Sequence, residues 1–148
     1  MRMPAPDKVT MMEVVMAALI ADGASPAGDP DEVGTARIVA VESGRVAGIA
    51  VAKEAFARMG VRLRPFVDEG AGVDASTPVA ELGGPLGAMR AAAPTALRFL
   101  ERLSAIAAGI ERPDPGEPLD AWAAGLARLS PPGSVGHDSP SFSLEIEG

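Results

Sequence analysis

The sequence contains no cysteine, one histidine, one tryptophan and two lysines among its 148 residues. Without cysteine there are no disulfides and no thiolate metal sites. With a single histidine, His137, any metal would have to be held by carboxylates. Asp29, Asp31 and Glu32 lie close together but lack the glycine and terminal glutamate of a calcium loop. The glycines between positions 23 and 34 do not form a phosphate loop either, and that stretch reads as a solvated linker. No metal and no cofactor is expected. Aromatic residues make up only 3% of the chain, so a core must be built from small and branched aliphatics, which the 47% hydrophobic content supplies. The net charge of −7 excludes nucleic acid and anionic membrane as partners, because both need a cationic surface. No apolar run approaches the roughly 20 residues of a membrane span. Glu13 interrupts the apolar N-terminal stretch and basic residues there are sparse, so it reads as a helix rather than a leader. The expected location is cytoplasmic.

What is present is a set of alternating periodicities. Thr10 is placed to cap a helix over 11–21, with Val14, Val15, Ala18 and Leu19 as its apolar stripe and Gly23 beyond its end. Residues 35–43 alternate as a strand, with Ala36, Ile38 and Ala40 on one face, and 45–50 continue as a second strand. Val51, Ala52, Ala55, Phe56 and Met59 share the face of a helix over 51–60. Residues 61–67 form a strand whose Pro65 points to an edge or a bulge. A turn follows at 69–72 and a strand at 77–82, and 85–91 reads as a strand or a helix start, with strand preferred. Residues 91–109 form a helix with Pro94 in its first turn, where no donor is needed. Its stripe is Leu97, Leu100, Leu103 and Ala107, widened by Phe99 and Ile106. Arg98, Glu101 and Arg102 line its outer face, with Arg98 and Glu101 spaced to pair. A Pro-rich connector at 111–118 leads to a short amphipathic helix at 119–129 carrying Trp122. Residues 131–141 are irregular. Residues 141–147 close the chain as a strand with Phe142, Leu144 and Ile146 on one face.

The stretches ARIVAVESGRVAGIAVAKEAF and FVDEGAGVDASTPVAELGGPLGAMRAAAPTALRFLERLSAIA, within residues 36–110, carry a recognisable order of landmarks. These are Gly44, Gly48, Gly70 and Gly84, then Thr95-Ala96-Leu97 and Arg102-Leu103-Ser104. The chain resembles the N-terminal domain of the quinolinate phosphoribosyltransferase (carboxylating nicotinate-nucleotide pyrophosphorylase) family. The resemblance implies an α+β fold, the α/β hammerhead, with a small mixed or antiparallel sheet and packed helices. The tail, SVG at 134–136 followed by HDSPSFSLEIE, resembles the family's C-terminal return strand. Between Ile110 and Ser134 the family places most of a (β/α) barrel of about 200 residues, whereas here the connector comprises residues 111–133. The expected organisation is one domain over 1–148: a core at 36–110, a connector at 111–133 in place of the barrel, and a return strand at 134–148.

The resemblance also sets what chemistry to expect. Transfer of a phosphoribosyl group needs cations to meet a developing diphosphate charge, and a pyridine dicarboxylate needs bidentate arginines. The lysines are only Lys8 and Lys53, and Lys53 reads as scaffold. In the family the long helix opens with Glu-Arg before Thr-Ala-Leu, and that arginine reaches the neighbouring subunit's substrate. Here those positions are Ala93 and Pro94, and proline offers neither a guanidinium nor an N–H. Arg98 stands where the family has asparagine. The candidate anion- or ligand-binding residues are therefore Arg98, Arg102, Arg62 and Arg64, together with Ser134, Gly136 and His137 in a stretch that the resemblance places near phosphate. His137, Asp138 and Ser139 are adjacent in sequence, which is not triad geometry. No catalytic residue is expected.

Three functions are compatible with this reading. The first is a non-catalytic binding or assembly protein, a pseudoenzyme that forms a dimer or a hetero-complex through the surface left by the missing barrel. The second is a repurposed small tailoring or cyclising enzyme in a biosynthetic pathway. It would hold an apolar ligand on the concave side, with the four arginines supplying polarity. The third is an accessory subunit of a split pyrophosphorylase.

Overall fold

The computed structural model describes residues 7–25, 28, 29, 31–114, 116–128 and 141–147. The first helix, α1, spans Lys8–Ala21. Its cap is Asp7 rather than Thr10. Asp7 Oδ2 accepts from the backbone N–H of Thr10 at 3.0 Å and from its hydroxyl at 2.9 Å. The aspartate therefore satisfies an orphan donor, and Thr10 belongs to the first turn. Met11, Val15 and Leu19 are buried, while Val14 and Ala18 are half-buried.

The expected strand alternation is found in β1, Val33–Ala40, where Ala36, Ile38 and Ala40 are buried. The second expected strand is mostly absent. Only β2, Gly44–Arg45, is extended, and α2, Ile49–Arg58, begins four residues later. Gly48 is the reason. Its φ of +98° breaks the extended chain and turns it into the helix. Strand β3, Arg62–Pro65, and the two-residue β4, Gly72–Val73, precede β5, Pro78–Pro85.

Helix α3 spans Leu86–Ala107, so of the two readings of 85–91 the helix start holds and the preferred strand does not. Only Pro85 belongs to a strand, as the end of β5, and the helix has begun by Leu86. Leu86, Met89, Ala93 and Ala96 recur at three- and four-residue spacing on the buried side. Pro94 is therefore interior. It removes the donor that would serve the Arg90 carbonyl, and it is tolerated because it lies on an exposed face, where water can take that carbonyl. Helix α4, Pro118–Arg128, and strand β6, Phe142–Glu147, complete the described chain.

The main sheet runs β3-β5-β1-β6, every pair antiparallel, and β2 and β4 form a separate ribbon. The Pro65 strand is at an edge, as its proline requires. The C-terminal strand lies at the other edge, against β1, with Leu144 opposite Ile38 and Glu145 opposite Arg37. Helices and sheet share one core containing Phe56, Leu82, Met89, Leu100 and Leu103. This is the mixed helix and antiparallel-sheet architecture that the sequence led us to expect.

Candidate functional site

The four candidate arginines fall into two pairs that the fold keeps apart. Arg62 and Arg64 alternate with buried Leu63 on β3 and so occupy the face of the sheet turned away from the core. Arg64 Nη2 lies 3.3 Å from Glu81 Oε1 on the neighbouring strand, and its guanidinium sits 5.3 Å from the centre of the Phe66 ring. Arg62 stands opposite Gly83.

Arg98 and Arg102 lie one turn apart on α3 and do not share a pocket with the strand pair. Arg98 does not pair with Glu101. Its Nη2 donates to Asp22 Oδ2 at 2.5 Å, and the same oxygen accepts from Thr95 Oγ1 at 2.5 Å. The Thr95 hydroxyl, and then Arg98, hold the Asp22 carboxyl below the usual carboxylate range. Glu101 instead accepts from the backbone N–H of Phe142 at 3.4 Å. Arg102 is bound more completely. Its Nη2 and Nε reach Asp120 at 2.5 and 3.3 Å, and its Nη1 reaches Glu111 at 3.3 Å. Asp120 is nearly inaccessible and also accepts from the backbone N–H of Asp114 at 2.8 Å. This pairing strengthens Arg102's hold on its proton.

Ser134, Gly136 and His137 lie outside the described residues. Among the described residues no group of three or more metal-ligating side chains comes together. No helix there is long and apolar enough to cross a membrane.

The N-terminus of α2 would ordinarily offer free donors to an anion. Here the chain fills it with its own carboxylate. Glu69, from the loop between β3 and β4, accepts from the backbone N–H groups of Gly48, Ile49 and Ala50 at 3.0, 2.9 and 3.2 Å. Burial pushes the Glu69 carboxyl up, and the three N–H groups pull it partly back.

An open groove of about 490 Å³ lies between α1, α3 and α4. Val14, Ala17 and Ala18 of α1, Phe99 and Leu103 of α3 and Leu119 of α4 wall it with apolar surface. Arg102, Asp114, Glu117 and Asp120 form its polar side. Sequence reasoning singled out Arg102 but missed the acids around it. Asp22 and Asp120 sit at a helix end and in a first helical turn, positions that signal capping rather than a distant arginine. With Arg102 paired to Asp120 and Glu111, the charge it brings to the groove is already compensated.

Comparison with known proteins agrees with this architecture. Residues 10–104 match the family model described as quinolinate phosphoribosyl transferase, N-terminal domain. No curated protein matches. Among solved structures, the chain is similar to the nicotinate-nucleotide pyrophosphorylase from Francisella tularensis, with 21% identity and a TM-score of 0.63, covering 73% of this chain and 41% of that one. It is similar to NadC from Streptococcus pyogenes at 23% identity and a TM-score of 0.66, covering 71% and 40%. It is also similar to the nicotinate-nucleotide pyrophosphorylase from Ehrlichia chaffeensis at 16% identity and a TM-score of 0.65, covering 81% and 53%. The match thus spans about two fifths of the first two proteins and about half of the third. With a family model matched over most of its length, the chain belongs to the quinolinate phosphoribosyl transferase N-terminal domain family.

Proposed function

We propose that this chain is a non-catalytic binding or assembly protein, acting through contact with a partner rather than through phosphoribosyl transfer. The supporting observation is the occupation of three of the four candidate arginines. Arg98 is bound by Asp22, Arg102 by Asp120 and Glu111, and Arg64 by Glu81. A diphosphate leaving group needs cations free to meet charge as it develops. Breaking the Arg102–Asp120 pair to free one would strand a buried carboxylate. The Ala93-Pro94 pair on α3 points the same way, because neither side chain reaches for an anion.

The test is direct. The purified chain is incubated with quinolinate, phosphoribosyl diphosphate and Mg²⁺, and nicotinate mononucleotide is sought by chromatography. No product is expected, and product formed by this chain alone overturns the proposal.

A further inference from the structure

Helix α1 is apolar nearly all the way round. Met11, Val15 and Leu19 face the core, yet Val9, Met16 and Ile20 remain 62%, 41% and 74% exposed. A helix with apolar residues on every side ordinarily has neighbours on every side. Val9, Met16 and Ile20 fall on one arc and run over about 16 Å, three helical turns. The stripe does not stop at α1. Ala17 follows Glu13 by four residues and precedes Ile20 by three, so it adjoins the stripe, and it also walls the groove formed with Phe99, Leu103 and Leu119.

Charge says what covers this surface. Arg102 at the groove is spent on Asp120 and Glu111. Asp114 and Glu117 then set the sign at the groove, and exposed Glu13, between Val9 and Ala17 on the helix surface, adds to it on the same flank. Lys8 lies about 100° around the helix from Val9, off the stripe. A second copy of the chain would bring the same acids to the same place, against a net charge of −7. The length of the stripe exceeds what a small molecule in the groove would cover. We infer that α1 and its groove dock an amphipathic helix of a different, basic protein, one with an apolar ridge flanked by lysine or arginine. Its ridge lies on Met16, Ile20 and Ala17, and its cations meet Glu13, Asp114 and Glu117. This inference rests on the binding reading above and names the partner's chemistry.

The probe is an 18-residue peptide of leucine and lysine, with leucine at helical i, i+3, i+4 spacing, titrated with the full chain by fluorescence anisotropy. Its counterpart carries glutamate in place of every lysine. The lysine peptide is expected to bind one to one, at least tenfold more tightly than the glutamate peptide. The double variant Met16→Glu/Ile20→Glu is expected to lose at least tenfold in affinity. Glu117→Lys is expected to weaken binding and flatten its salt dependence. All three positions are exposed or half-exposed, and circular dichroism checks that the variants fold. Equal binding of the two peptides overturns the inference, as does indifference to these substitutions. Sedimentation showing a dimer abolished by Ile20→Glu also overturns it, by assigning the stripe to a second copy. Nicotinate mononucleotide formed in the assay above would sink the non-catalytic reading and leave the peptide result standing. Failure of peptide binding would do the reverse.

Discussion

Ser104 and Ala47 hold each other from both sides. The Ser104 hydroxyl donates to the Ala47 carbonyl at 3.1 Å and accepts from the Ala47 N–H at 2.9 Å, and both residues are buried. One hydroxyl thus satisfies both backbone groups of a residue that sits between β2 and α2, outside any ladder. Ser104→Ala would leave a buried donor and a buried acceptor without partners, each costing about 1–3 kcal/mol. The expected loss is about 3 kcal/mol in urea unfolding. Ser104→Thr, which keeps the hydroxyl, should lose less unless its methyl group clashes.

Gly48 sits beside that bond and is irreplaceable for a different reason. At φ +98°, a Cβ would come within 2.9 Å of Leu103 Cδ1 and 3.2 Å of Leu103 Cβ. Gly48→Ala combines left-handed strain of about 1–3 kcal/mol with overpacking of about 1–3 kcal/mol. A total loss of about 3 kcal/mol is expected, read as a lower denaturant midpoint with an unchanged slope.

These two contacts mark what was legible beforehand. The alternation of Ala36, Ile38 and Ala40, the edge position of the Pro65 strand and the closing strand from Phe142 follow from local pattern, because period two needs no knowledge of the partner. The beginnings of helices were misread where a distant group decided them. Glu69 caps α2 from 19 to 21 residues downstream, so nothing next to Gly48 announces the helix. Pro94 suggested a first turn because that is where proline costs least, yet the helix tolerates it in the interior on an exposed face. The arginines were visible as candidates and their neutralisation was not. Arg98 finds Asp22 across 76 residues, a choice made by the packing of α1 on α3.

The proline makes a separate prediction. Pro94 withholds a donor from the middle of α3 and lies exposed, so Pro94→Arg restores the hydrogen bond without disturbing the core. Interior proline costs about 3 kcal/mol relative to a good helix former, offset by about 1 kcal/mol because proline also restricts the unfolded chain. A net gain of about 2 kcal/mol and a rise in Tm of about 5 °C are expected. This substitution also returns an arginine to the position where the family resemblance places one. Stabilisation without nicotinate mononucleotide formation would show that the side chain alone does not supply the activity.

Glu69 sets a pH dependence whose sign can be worked out. Burial raises its carboxyl above the ordinary 4.5 in the folded state, despite the three backbone donors. The folded protein therefore binds this proton more tightly than the unfolded chain does. The stability it contributes is fully present below about 4.5 and is lost as pH rises through the folded value. Glu69→Gln cannot ionise, so its unfolding free energy should lack that fall. Asp7 and Asp22, both held below 3.8 by hydrogen bonds, act in the opposite direction at lower pH. They are common to both proteins and cancel in the difference. Urea unfolding of the two proteins from pH 4 to 7 should give a wild-type advantage that shrinks as pH rises. A difference that stays flat across that range would mean that the α2 cap holds the same proton folded and unfolded.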